Sequence, residues 1–99
     1  MSVDLLVDTG ASYVLLPPEV VERLGLETHI ERRVMLASGE RVIYRLGDVR
    51  ISFNGEDHTT TFLAGPTGSR PLFGAYALEL FGLAADPVHH RLFPVPALL

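Results

Sequence analysis

The sequence predicts a mainly β fold with two short helices in a single lobe, and three observations carry that expectation. Short apolar or alternating stretches bounded by turn residues recur along the chain, which is the pattern of strands. Asn54-Gly55 between two such stretches is the strongest hairpin signal present. An apolar strand, a glycine turn, a short helix and a glycine stop occur twice, from Val7 to Gly25 and from Pro71 to Gly82. The repetition points to two related halves packed about a pseudo-twofold axis rather than a linear array.

Val3 to Val7 is nearly continuously apolar, as expected of a strand covered on both faces. Tyr13 to Leu16 reads as a second strand. Pro17-Pro18 opens a helix at about residues 18–24, with Glu19 and Glu22 near its positive end and Gly25 past its last turn. Val34-Met35-Leu36 and Arg41 to Tyr44 flank Ala37-Ser38-Gly39-Glu40 as a hairpin with a mobile tip. Asp48 to Phe53 and Thr59 to Ala64 are the two arms of the Asn54-Gly55 hairpin, with Val49, Ile51 and Phe53 facing inward. Gly65 to Gly68 is a loop. Pro71 to Gly74 is apolar and leads into a helix from Ala75 to Phe81, stopped by Gly82. The tail carries Leu92, Phe93, Val95, Leu98 and Leu99, with Pro94 and Pro96 two residues apart. That spacing suits an edge strand, expected at Arg91–Val95, with Pro94 turning its missing N–H outward.

Composition narrows the function. The 99 residues form one domain, 1–99, near the lower size limit for a single core. Absence of cysteine excludes disulfides and thiolate zinc sites. A net charge of −4 gives no electrostatic reason to expect nucleic acid or an anionic membrane as partner. No apolar run approaches the ~20 residues of a membrane span, and Asp4 stands where a signal peptide is basic, so a soluble cytoplasmic protein is expected. All eight basic residues are Arg, which reflects genome composition rather than mechanism.

The chemistry concentrates in Leu5-Leu6-Val7-Asp8-Thr9-Gly10-Ala11-Ser12. A carboxylate at the exit of a buried strand is costly unless it is compensated or used. Gly10 permits a sharp turn and close approach, and the Thr9 hydroxyl can donate to one group while accepting from another. Asp8 is then held on a stiff platform. A lone carboxylate serves as a base, whereas two held together share one proton, so that one activates water while the other protonates the scissile group.

Other clusters read as surface. His89 and His90 are adjacent, and neighbours on an extended chain point to opposite faces, so they do not chelate one metal together. Glu56-Asp57-His58 reads as an exposed hairpin end, and Glu31-Arg32-Arg33 as a solvated approach to the hairpin. Asp4 lies about 13 Å from Asp8 along a strand, too far for a carboxylate pair.

Leu5 to Ser12, continuing to Val14 and Leu16, resembles the active-site signature of aspartic proteases, and the single-lobe length resembles the retropepsin-like branch. Leu72-Phe73-Gly74 is similar to that branch's second motif, ahead of the C-terminal helix. "LLPPEVVERLGL" and "FGAYALELFGLAADP" resemble small bacterial and archaeal members. The resemblance spans about residues 3–87 and implies an acid-protease barrel, no cofactor and no metal. It further implies a homodimer that cleaves peptides or unfolded proteins with one Asp8 from each chain, supported by Thr9 and Gly10. Leu6, Ala11, Ser12, Leu36, Ala64 and Leu72 are then the expected lining of the substrate groove, with Ala37, Ser38 and Gly39 at the tip of a closing flap.

Three departures stand out. Viral members pair an Asp at the place of Ser12 with an Arg at the place of Ala75, and here both are neutral, leaving no orphan charge. The flap tip has one glycine where viral flaps have several. Only seven residues precede Asp8 where relatives carry a further strand, so the N-terminal strand is expected to be missing or truncated. That shortening favours the alternative of a catalytically silent dimer that keeps the groove to bind peptides, whereas an intact Asp8-Thr9-Gly10 favours the enzyme.

Overall fold

The computed structural model describes residues 1–97 and 99. Its strands are β1 (Leu6–Val7), β2 (Val14–Leu16), β3 (Thr28–Met35), β4 (Arg41–Phe53), β5 (Glu56–Ala64), β6 (Leu72–Phe73), β7 (Leu83–Asp86) and β8 (Arg91–Pro94). Helix α1 (Pro18–Arg23) lies between β2 and β3, and α2 (Ala75–Leu80) between β6 and β7. Six strands form one sheet in the order β1-β6-β2-β5-β4-β3, and β7 and β8 form a separate antiparallel pair. The expected mainly β fold with two short helices is present. The expected barrel is not closed among the described residues, because β1 and β3 stand at opposite edges of an open sheet.

Register sorts the side chains into two faces. In one row the pairings align Leu6, Leu72, Leu15, Leu63 and Leu46. In the neighbouring row they align Val7 with Phe73, Val14 with Phe62, and Phe62 with Gly47. Paired residues share a face and neighbours along a strand alternate. The second face is the core, where Val14, Phe62, Phe73 and Val49 pack with Val20 of α1 and with Ala77, Leu78 and Phe81 around α2. Both helices therefore lie on one side, and the leucine row looks away from them.

The two helices end alike. Gly25 and Gly82 adopt φ of 66° and 67°, a left-handed conformation that costs any other residue a Cβ clash. The twofold echo in the sequence is therefore realised in the way each half stops its helix.

Strand β4 is longer than expected. The sequence suggested two pieces broken at Arg45–Gly47, but thirteen residues run on as one strand. Gly47 makes room at its middle, where an added Cβ would meet the Glu27 carbonyl oxygen and lie 2.9 Å from the Phe62 ring. From Arg41 to Tyr44 the strand pairs only with β3, and pairing to β5 begins at Arg45. The distal half of β3–β4 is thus a two-stranded arm beyond the body of the sheet.

Other elements shift modestly. Strand β1 begins at Leu6 rather than Val3, and β3 begins at Thr28, taking in the charged Glu31-Arg32-Arg33 run. Such charges protect an edge strand from adventitious pairing. Glu56, Asp57 and His58 lie within β5, because the turn at Asn54-Gly55 (φ 53° and 82°) is only two residues long. His58 is half-buried, its ring 4.7 Å from that of Phe81. The tail strand ends at Pro94 and pairs with β7, a strand absent from the expectation. Leu98 lies outside the described residues. No helix among those described is long and apolar enough to cross a membrane.

Candidate active site

The Asp8 turn is built from its own backbone. The N–H of Asp8 donates to the Phe73 carbonyl oxygen (3.1 Å), which extends the β1–β6 ladder by one residue. The N–H of Ala11 donates back to the Asp8 carbonyl oxygen (3.1 Å), closing a four-residue turn. Within it the Gly10 N–H donates to Asp8 Oδ1 (3.0 Å), so the carboxylate is braced by the turn it begins. Asp8 is half-buried, and its Oδ2 makes no hydrogen bond among the described residues.

Gly10 lies in the sharp turn expected of it, which closes without a positive φ at that residue. Its lack of a Cβ serves proximity, since that atom would sit 3.3 Å from Asp8 Oδ1. The Thr9 hydroxyl was expected to lock the loop, but Thr9 is exposed and its hydroxyl is unpartnered among the described residues. What locks the loop is α2. Gly74 is the residue ahead of that helix and offers no side chain to cap it. The orphan N–H groups of Ala75 and Tyr76 donate instead to the carbonyl oxygens of Ala11 (2.7 Å) and Ser12 (3.0 Å). The Asp8 loop and the helix N-terminus therefore fix each other, with Tyr13 and Tyr76 meeting edge to face at 5.3 Å beside them.

Leu6 and Leu72 are paired across β1 and β6 on the leucine face, and Asp8 has the strand parity of Leu6. Ala64 was expected beside them, but its pairing with Leu16 turns it to the other face, against the core. Leu63 and Leu15 occupy the leucine face there, and sequence reasoning missed both, because only the crossing of β2 onto β5 and β6 decides which residue of each strand faces that way. Leu63 and Leu46 are just 7% and 6% exposed although neither belongs to the core cluster. Leu36, Ala37, Ser38 and Gly39 form the tip of the β3–β4 arm. There the Gly39 N–H donates to the Leu36 carbonyl oxygen (2.8 Å), the Leu36 N–H to that of Glu40 (2.9 Å), and Gly39 has φ 87°.

A groove of about 540 Å³ starts at Thr9 and runs between α2 and β7 to the tail, with Leu78, Leu83 and Val95 along it. His89, one of the adjacent histidines, bonds through its ring Nδ1 to Asp86 Oδ2 (2.7 Å) at the β7–β8 turn. Val88 and His89 also donate their N–H groups to Asp86 Oδ1, and Arg91 stands 3.5 Å from Oδ2. These bonds, the His89 ring foremost, hold the Asp86 carboxyl below its ordinary value of 3.8.

A strand-borne Asp-Thr-Gly turn, closed by a second strand whose glycine abuts it and leads into a helix, defines the aspartic protease class. The family model described as aspartyl protease matches residues 2–74, and the chain belongs to this retropepsin-like family. The match includes the Asp8 turn, the β3–β4 arm and Leu72-Phe73-Gly74, and stops ahead of α2. Membership supports a protease function of the aspartic type, with peptides as substrates. No curated relative matches the chain.

Proposed function

We propose that this chain, acting as one domain, is a homodimeric aspartic endopeptidase in which Asp8 of each of two copies together activate a water. The observation that carries the reading is the Asp8 turn itself. One carboxylate oxygen is braced by Gly10 and the other is free of protein partners among the described residues. Leu72-Phe73-Gly74, the second element of the site, brings no acid of its own. One chain thus supplies half of the carboxylate pair that the chemistry needs.

The exposed Thr9 at the mouth of the groove, and a β7–β8 sheet whose strands pair only with each other among the described residues, suit contact with a second copy about a twofold axis. Two carboxylates brought together there share one proton and titrate as a pair. The ionised one draws a proton from water as it attacks the peptide carbonyl, and the protonated one donates to the carbonyl oxygen. Thr9 and Gly10 support the pair. The peptide lies extended along Leu6, Leu72 and Leu15, beside Ala11 and Ser12, and Leu36 to Gly39 close over it.

The test is hydrolysis of an unfolded protein at acidic pH with a chelator present, for wild type and Asp8→Asn, together with sedimentation at micromolar concentration. Expected are a dimer, activity that falls faster than linearly on dilution, and loss of turnover in Asp8→Asn with the fold intact. Full activity in that variant, or activity strictly proportional to concentration in a monomer, overturns the reading.

A further inference from the structure

Helix α2 distributes its side chains against the usual pattern. Its outward residues are apolar, Tyr76 and Leu80 being 55% and 43% exposed, while Ala77 and Leu78 pack into the core. Its one charged residue, Glu79, lines the groove that starts at Thr9. The spacing places it there, because Leu78 and Glu79 follow Ala75 at three and four residues and all three border the groove. Every other side chain along that groove is uncharged, among them Thr9, Leu83 and Val95. One carboxylate thus stands alone in the cleft proposed to meet a second copy.

Nothing nearby compensates it. Helix α2 has no basic residue in its last turn, and Glu79 has no ion-pair partner among the described residues. Of the elements packed against the helix, β7 carries only Asp86, which is engaged by His89 and by Arg91 of β8. Strand β5 sets His58 against Phe81, with Glu56 bonded to its ring, and Asp57 stands beside Arg50. The Asp8 loop adds a second carboxylate, and residues 95–97 add no charge. In one copy Glu79 is exposed and solvated. A twofold contact sets the same patch on both sides, so what faces this carboxylate across it is a surface whose own charges are Glu79 and Asp8.

We infer that Glu79 makes assembly of the active site depend on acid: two copies close tightly over the groove when the Glu79 carboxyls take up protons, and stand apart when they are ionised. The inference rests on the proposed contact between copies at this groove. Loss of water and the facing carboxylates both disfavour the ionised form. Association therefore takes up protons and tightens as pH falls. The Asp8 pair takes up a proton in the same event, so the test is run without it.

The probe is the Asp8→Asn chain, with and without Glu79→Gln, whose amide has nearly the shape of the neutral carboxyl. Dimer dissociation constants come from sedimentation equilibrium between about pH 5 and about pH 7.5, where Asp86, held below 3.8, stays ionised. His89 and His90 are present in both proteins, so the difference at each pH belongs to position 79. Expected for Asp8→Asn alone is a constant that tightens at least about tenfold from the upper pH to the lower. Adding Glu79→Gln should hold it within about twofold of the tight value throughout. The same pH response in both, or the lack of one in both, with dimers present, overturns the role of Glu79 and spares the homodimer. A dimer loosened by Glu79→Gln at neutral pH also overturns it, because the ionised carboxylate would then meet a cation across the interface. Monomers at every pH, in wild type as in the variants, overturn the acid dependence and the homodimer together.

Discussion

Gly74 lies so close to Ala11 that a Cβ added to it would sit 2.7 Å from the Ala11 carbonyl oxygen, and closer still to that of Tyr13. Both obstacles are backbone, and the Ala11 oxygen is already engaged by the Ala75 N–H. No rotamer change relieves the contact. Gly74→Ala is therefore expected to push the Asp8 loop off α2 and to destabilise the fold by about 1–3 kcal/mol, measured by urea denaturation. Gly39→Ala at the arm tip meets nothing within 4 Å and strains only its own φ, so it should cost less, about 1 kcal/mol. Equal losses would mean that the loop gives way at no expense.

Phe62 is fully buried and joins the two halves of the structure, stacked beneath Gly47 and paired in register with Val14. Phe62→Ala should cost about 3–5 kcal/mol. Phe53, which is 44% exposed at the far end of β4, has its ring 6.2 Å from that of Phe73 and 6.1 Å from that of Phe81. Its truncation should cost clearly less. Thermal midpoints of the two variants rank the sites directly.

What could be read from sequence was what local rules govern. The Asn54-Gly55 turn, the glycine stops at Gly25 and Gly82, and the Asp8-Thr9-Gly10 exit are fixed by backbone preferences of a few residues. Strand β7 was not legible because Ala84 and Ala85 have little strand preference and pair only through a tail that arrives later in the chain. The start of β3 was hidden by the charges that guard its edge, and β4 looked broken because Gly47 reads as a stop although the strand runs through it. Which residues share the leucine face depends on β2 running parallel to β5 and antiparallel to β6. That crossing is non-local, and it is why Leu63 was missed and Ala64 chosen.

The Asp86 cluster makes a pH prediction whose sign follows from its direction. The folded-state value lies below the ordinary 3.8, so the ionised form is the one that stabilises the β7–β8 turn. That stability is fully present above 3.8 and is lost as pH falls through the folded-state value. Asp86→Ala should therefore lower the thermal midpoint at neutral pH, with the gap from wild type closing progressively in strong acid. Asp86→Asn, which keeps an acceptor for the Val88 and His89 N–H groups, should fall between. A gap that stays constant or widens on acidification would contradict the assignment.

The tail supplies the remaining prediction. Strand β8 is the sole partner of β7 among the described residues, Leu92 packs against the core, and the Val95 N–H closes onto the Gly82 carbonyl oxygen (2.9 Å) just past α2. Helix α2 in turn holds the Asp8 loop through Ala75 and Tyr76. Ending the chain at His90 removes the ladder and the Leu92 contact, a loss of about 2–4 kcal/mol from partial leucine burial and a few net hydrogen bonds. It also strips one wall from the groove beside Thr9, on which the proposed contact with a second copy depends. The truncated protein should unfold at a lower temperature and dimerise more weakly, and Leu92→Ala should reproduce the first effect more than the second. Sedimentation and thermal melts of both variants separate the contributions. A truncated chain that keeps its thermal midpoint and its dimer affinity would show that the β7–β8 pair is a passive extension, and that the Asp8 loop is held by α2 without help from the tail.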